Sequence, residues 1–176
     1  MYYSTFTYLV AGMEDFFSQL IKLILKKDNR RLLVTVKDIN FKSKYDIENI
    51  VLANNKETII DLIIEDRIIS IMYANPRCQA EYFRKALSID ISDEKWNIWY
   101  EIKATRDLIV HNLGTINETY IEKAGTAARG KIGDTIVLDT SYFLSSIKFM
   151  KKIVSTCNTI IKDEFVFNND FYYQEF

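Results

Sequence analysis

The chain has 176 residues, 48% hydrophobic and 27% charged, with 23 lysines and arginines against 24 aspartates and glutamates and a net charge of −1. That length suits one compact domain, residues 1–176, with a core that needs neither metal nor disulfide support, and the composition excludes a disordered chain. The near-neutral charge excludes a general polyanion binder, so any contact with nucleic acid must come from a local arrangement of charge.

One proline and five glycines in the whole chain favour helices over a many-turned β fold. Leu9, Met13, Phe16, Leu20 and Leu23 or Ile24 recur every three or four residues and predict a first helix from about Thr5 to Lys27. The apolar run "FTYLVAG" inside it is broken by Glu14 and Asp15 and has no basic flank before it. It therefore reads as neither a membrane span nor a signal peptide, and the expected setting is cytoplasmic, with no membrane partner. The basic cluster "KKDNRR" suits a helix C-terminus, and "RLLVTVKDINF" reads as a short strand or an extended connection.

From about Asn55 to Tyr73, the positions Ile59, Leu62 or Ile63, Asp66, Ile69 and Met72 or Tyr73 outline a second long helix. Asn75 and Pro76 read as an N-cap and first helical position that restart a helix through Leu87. Ser92 with Asp93 and Glu94 opens the next helix, which runs to near Gly114. A short helix follows Asn117 and ends at Gly125. Gly114, Gly125, Gly130 and Gly133 mark an irregular segment before a final helix, whose stripe of Phe143, Ile147, Met150, Val154, Cys157 and Ile161 is a core face. The predicted fold is an all-α bundle of four to five main helices with one irregular glycine-containing segment before the last. Cys78 and Cys157 fit no C-x-x-C pattern and read as two buried thiols in a reducing compartment. With a single histidine and no cysteine cluster, a zinc site is not expected and no cofactor is assigned; carboxylate-only magnesium binding stays open.

The one histidine, His111, lies in "TRDLIVHNLG", five positions after Arg106. On a helix from Trp96 to Leu113, Ile98, Ile102, Thr105, Ile109 and Leu113 share the face expected to pack on the core, while Tyr100, Lys103, Asp107 and His111 share another. Arg106 and His111 are roughly 140° apart around the axis, so either the arginine bends round or a symmetric partner helix completes the site.

The pattern R-x-x-x-x-H with an acidic residue directly after the arginine, here Arg106, Asp107 and His111, resembles the signature of HEPN domains. That superfamily consists of small helical nucleotide-binding domains, many of them metal-independent ribonucleases. The surrounding "WNIWYEIKATRDLIVHNLGTINETYIEKAG" is similar to a prokaryotic branch of it, and the resemblance covers about Pro76 to Met150. It implies a four- or five-helix bundle, usually a homodimer with the R-x-x-x-x-H helices facing each other across a cleft, and a place in a defence or toxin system with an antitoxin or other regulatory partner. Toxins paired with a nucleotidyltransferase antitoxin often carry a tyrosine two residues after the histidine. Leu113 stands there in this chain, so modification at that position has no acceptor.

On this resemblance the substrate is RNA, cut by attack of its own 2′-hydroxyl. Histidine exchanges protons near neutrality and arginine forks onto phosphate oxygens, which makes His111 the acid or base and Arg106 the phosphate clamp. Asp107 either orients the imidazole or forms an ordinary i,i+4 surface pair. Asn112 either contacts substrate or holds the helix end before Gly114. Lys103, Arg129 and Lys131 either add positive potential for substrate or are solvated surface charges. The alternatives to an enzyme are a catalytically inactive HEPN-like module that binds RNA or nucleotide, and a protein-interaction module.

Overall fold

The computed structural model describes residues 2–53 and 55–166. The fold is all-α: α1 (Tyr2–Lys27), α2 (Ile47–Val51), α3 (Lys56–Met72), α4 (Pro76–Leu87), α5 (Asp93–His111), α6 (Glu118–Ala124) and α7 (Thr140–Val166). Among the described residues there is no strand, only an antiparallel bridge between Thr115 and Thr135. "RLLVTVKDINF" begins in a 3-10 turn, Asn29–Leu33, and continues as an extended connection.

The capping chemistry explains the helix starts. Asn55 accepts the Thr58 N–H at 2.9 Å, Asn75 the Cys78 N–H at 3.0 Å and Asn117 the Tyr120 N–H at 2.9 Å, each satisfying one of the unpaired donors of a first turn. Pro76 occupies the first turn of α4, where its missing N–H costs nothing. Ser92 stands at the start of α5 without a side-chain cap bond; Asp93 and Glu94 supply the favourable negative charge instead.

α1 is the central helix and packs against α3, α4, α5 and α7. Its buried stripe is Phe6, Val10, Met13, Phe17, Leu20, Ile21, Ile24 and Leu25, close to the expected face, although Leu23 is exposed. Phe17 sits in an aromatic cluster with Phe83, Trp96 and Trp99, with ring centroids 5.2–5.8 Å apart. Such edge-on and tilted contacts add to the burial of large apolar area. In α3 the expected stripe is displaced: Ile64, Ile68 and Ile71 are buried, whereas Ile69 and Tyr73 are exposed. The clustered isoleucines offer two nearly equivalent faces, and packing against α1 selects one.

A second, smaller core lies beyond the main one. Ala104 and Leu108 of α5 pack with Ile116, Tyr120, Ala124 and Ile136, under the segment between α5 and α7. Just beyond the end of α5 that segment is closed on itself by backbone bonds from Ile136 N–H to the Gly114 carbonyl (2.8 Å) and from Ile116 N–H to the Asp134 carbonyl (2.8 Å). No described helix is long and apolar enough to cross a membrane.

Candidate functional site

The expected face of α5 needs correcting at its ends. Ile102 and Thr105 are buried and Ile98 and Ile109 partly so, but Leu113 is 95% exposed and Tyr100, expected on the other face, is buried. The helix ends before Leu113, which takes a left-handed backbone (φ 51°) that glycine tolerates better than leucine, and so leaves the helical register. Gly114 follows with φ 77° and its N–H reaches back to the Leu108 carbonyl at 2.9 Å. His111 falls on the last turn of α5 and is exposed, off the buried face.

Beside this turn lies a cleft of about 560 Å³ between α1, α5 and the α3–α4 connection. Arg106, Asp107, His111 and Lys103 all line it, joined by Lys123 from α6 and by Glu14 and Asp15 from α1. Glu14 organises one wall: its Oε1 lies 3.0 Å from Lys103 Nζ and its Oε2 accepts from Arg106 Nη2. Arg106 Nη1 is 3.2 Å from Asp107 Oδ1, and Asp107 Oδ2 accepts from Lys123 Nζ at 3.2 Å. These side chains are only 18–26% exposed, except Lys123 at 44%. Arg106 Nε is buried with no hydrogen-bond partner.

Asp107 thus engages Arg106 and Lys123, and not His111. Neither an imidazole-orienting bond nor an i,i+4 pair is made, and the His111 ring is without a hydrogen-bond or ion-pair partner among the described residues. Asn112 does not line this cleft but an adjoining pocket of about 280 Å³ that shares Asp107, His111 and Lys123 with it; its Nδ2 donates to the Thr115 carbonyl at 2.5 Å, holding the turn after α5.

Arg129 and Lys131 do not line the cleft. Arg129 belongs to a buried polar cluster centred on Glu101, itself 4% exposed. Glu101 Oε1 accepts from Arg129 Nε (2.7 Å), Thr105 Oγ1 (2.7 Å) and the Tyr120 hydroxyl (2.9 Å), and Oε2 accepts from the Tyr142 hydroxyl (2.8 Å). The Arg129 guanidinium also lies 3.5 Å from the Tyr142 ring centre and donates to the Val137 carbonyl at 2.9 Å. Burial disfavours its charge, but Tyr142, Glu101 and Tyr120 outweigh that and raise its pKa. Burial, reinforced by Glu101, likewise raises the Tyr142 phenol well above its ordinary value. Arg129 is therefore a tie within the fold, satisfying a carboxylate that would be very costly to bury alone. Lys131 lies on the exposed segment, its N–H donating to Asp134 Oδ2 at 2.8 Å.

The structure adds cleft residues that the motif did not reach: Glu14 and Asp15 on α1, Lys123 on α6 and the connection from Met72 to Pro76. Glu14 and Asp15 left a signal, since they interrupt an otherwise apolar run; two acids in the middle of a core-facing helix need a cationic partner or an opening to water. Among the described residues no cluster of three His, Cys, Asp or Glu side chains could hold a metal ion. Compared with known proteins, the chain matches no family model, no curated protein and no solved structure.

Proposed function

We propose that the cleft is the site of a metal-independent endoribonuclease of the HEPN type, working as a homodimer through the end of α5. The observation that carries this reading is that Arg106, Asp107 and His111 line one cleft together with Lys103 and Lys123. Arg106 supplies fixed positive charge for the phosphate, and His111, exposed and uncommitted, is free to exchange protons. In the reaction the 2′-oxygen bonds to phosphorus as its proton passes to one imidazole. The bond to the 5′-oxygen breaks as that oxygen takes a proton from the second imidazole, leaving a 2′,3′-cyclic phosphate and a 5′-hydroxyl. Two imidazoles require two subunits, because each chain has one histidine.

One observation favours a second reading, a module that binds RNA without cutting it. Arg106 is already held by Glu14 and Asp107, so its charge is answered within the protein. The test is incubation of the purified protein with mixed cellular RNA in excess EDTA, alongside His111→Ala, with identification of the fragment ends. Cleavage that survives EDTA, leaves 2′,3′-cyclic phosphates and disappears in His111→Ala supports the nuclease. Retained RNA without cleavage supports the binding module.

A further inference from the structure

The connection between α3 and α4 presents an unusual side chain to the cleft. Tyr73 lines it together with Arg106 and His111, yet the residue is 89% exposed. Its backbone is held tightly. Gln79, only 6% exposed, donates from Nε2 to the Met72 carbonyl at 2.9 Å and to the Ala74 carbonyl at 3.1 Å, the residues on either side of Tyr73. The buried Tyr100 hydroxyl donates to the Pro76 carbonyl at 2.6 Å, and the Tyr73 N–H itself closes α3 on the Ile69 carbonyl at 3.1 Å.

Two buried polar side chains are thus spent on fixing a connection whose central aromatic ring buries almost nothing. A flat ring on a pinned backbone loses little conformational freedom when something stacks on it. The neighbours in the cleft decide what that partner is. The cations Lys103, Arg106 and Lys123 stand there with the acids Glu14, Asp15 and Asp107, a far more charged lining than a protein hot spot offers, and Met72, Ala74 and Pro76 are its apolar members. Positive groups beside an aromatic face are the pairing that holds a phosphate and an adjoining base, and a base offers its face only when it is outside a duplex.

We propose that Tyr73 is a stacking platform for an unpaired RNA base next to the phosphate held at Arg106 and His111, so that the cleft selects single-stranded segments. The proposal rests on reading the cleft as a phosphodiester site. The probe is a short, fluorescently labelled 2′-O-methyl oligonucleotide, which lacks the attacking hydroxyl and stays intact, titrated as a single strand and as a duplex with its complement.

Tyr73→Ala weakens single-strand binding by roughly tenfold, Tyr73→Phe stays within about twofold of the parent, and duplex binding is indifferent to both. Equal affinities of parent and Tyr73→Ala for the single strand, equal losses on strand and duplex, or no binding by the parent overturns the platform. Cleavage of unmodified RNA is measured in parallel. Tyr73-dependent binding by a protein that cuts nothing keeps the platform and discards the nuclease; cleavage with KM unchanged in Tyr73→Ala keeps the nuclease and discards the platform.

Discussion

Glu14 and Arg106 are ion-paired across the cleft, joining the middle of α1 to the last third of α5. The same carboxylate holds Lys103 at 3.0 Å, so one acid answers two of the cations that would meet a phosphate. Replacing it with an isosteric amide leaves those cations with charge to offer. Glu14→Gln is expected to tighten binding of a short oligonucleotide about threefold at low salt, with the gain shrinking as salt rises. Fluorescence titration across a salt series checks this, and the double variant Glu14→Gln/Arg106→Ala should show no gain.

Arg106 and His111 should separate cleanly in stability. His111 is exposed and unpartnered, so His111→Ala leaves the thermal midpoint within about 1 °C of the parent. Arg106→Ala leaves Glu14 with Lys103 alone and Asp107 with Lys123 alone in a partly buried cleft and is expected to cost about 1 kcal/mol in urea denaturation. Under the proposed function both variants lose cleavage by at least about a hundredfold. A His111→Ala protein with parental turnover would remove the histidine from the chemistry.

The Glu101 cluster predicts a larger loss. Its carboxylate accepts four hydrogen bonds in a buried setting, from α5, α6, α7 and the segment between them. Glu101→Gln replaces an acceptor by a donor and leaves Arg129 without its counter-charge. The expected cost is about 2–4 kcal/mol, read as a lowered urea midpoint with circular dichroism unchanged before the transition.

Tyr82 predicts a gain. Its ring is fully buried and its hydroxyl has no hydrogen-bond partner. Tyr82→Phe should therefore hold or raise stability by up to about 1 kcal/mol at neutral pH. Burial also pushes the phenol up from 10.0 to about 12. Below the unfolded value both states are neutral and stability is intact; as pH rises from about 10 to about 12 the unfolded chain ionises first and stability falls. Tyr82→Phe should show a shallower alkaline loss than the parent when urea midpoints are compared at neutral pH and above pH 10.

The helices were readable because their ends and faces are written locally. Asn55, Asn75 with Pro76, and Asn117 mark starts by side-chain capping, and the stripe from Phe143 to Ile161 keeps its period through α7. The α3 face was not readable, since adjacent isoleucines leave its choice to the partner helix. In the cleft, Lys103, Asp107 and His111 share one face of α5 and were grouped by spacing, whereas Arg106, on the same helix, was singled out by its place in the R-x-x-x-x-H pattern. Glu14, Tyr73 and Lys123 come from other helices or their ends and meet them only after folding. Arg129 was misleading for the same reason: its charge is consumed by Glu101, 28 positions away in sequence.

α5 is shared between two packed units of unequal size. Its first half is buried in the main core through Trp96, Trp99 and Ile102, while Ala104 and Leu108 belong to the small cluster beneath the segment after α5. The cluster has only six buried members, so it is expected to open at a lower free energy than the bundle it leans on. On that expectation His111 rides on the part of the molecule that loosens before the main core. Warming should release the imidazole while most of the helices persist, and amide hydrogens from Leu108 to Asn112 should exchange with deuterium well before those of α1. The temperature at which the cleft loses its histidine is then expected to follow the six small-core side chains rather than the melting of the whole.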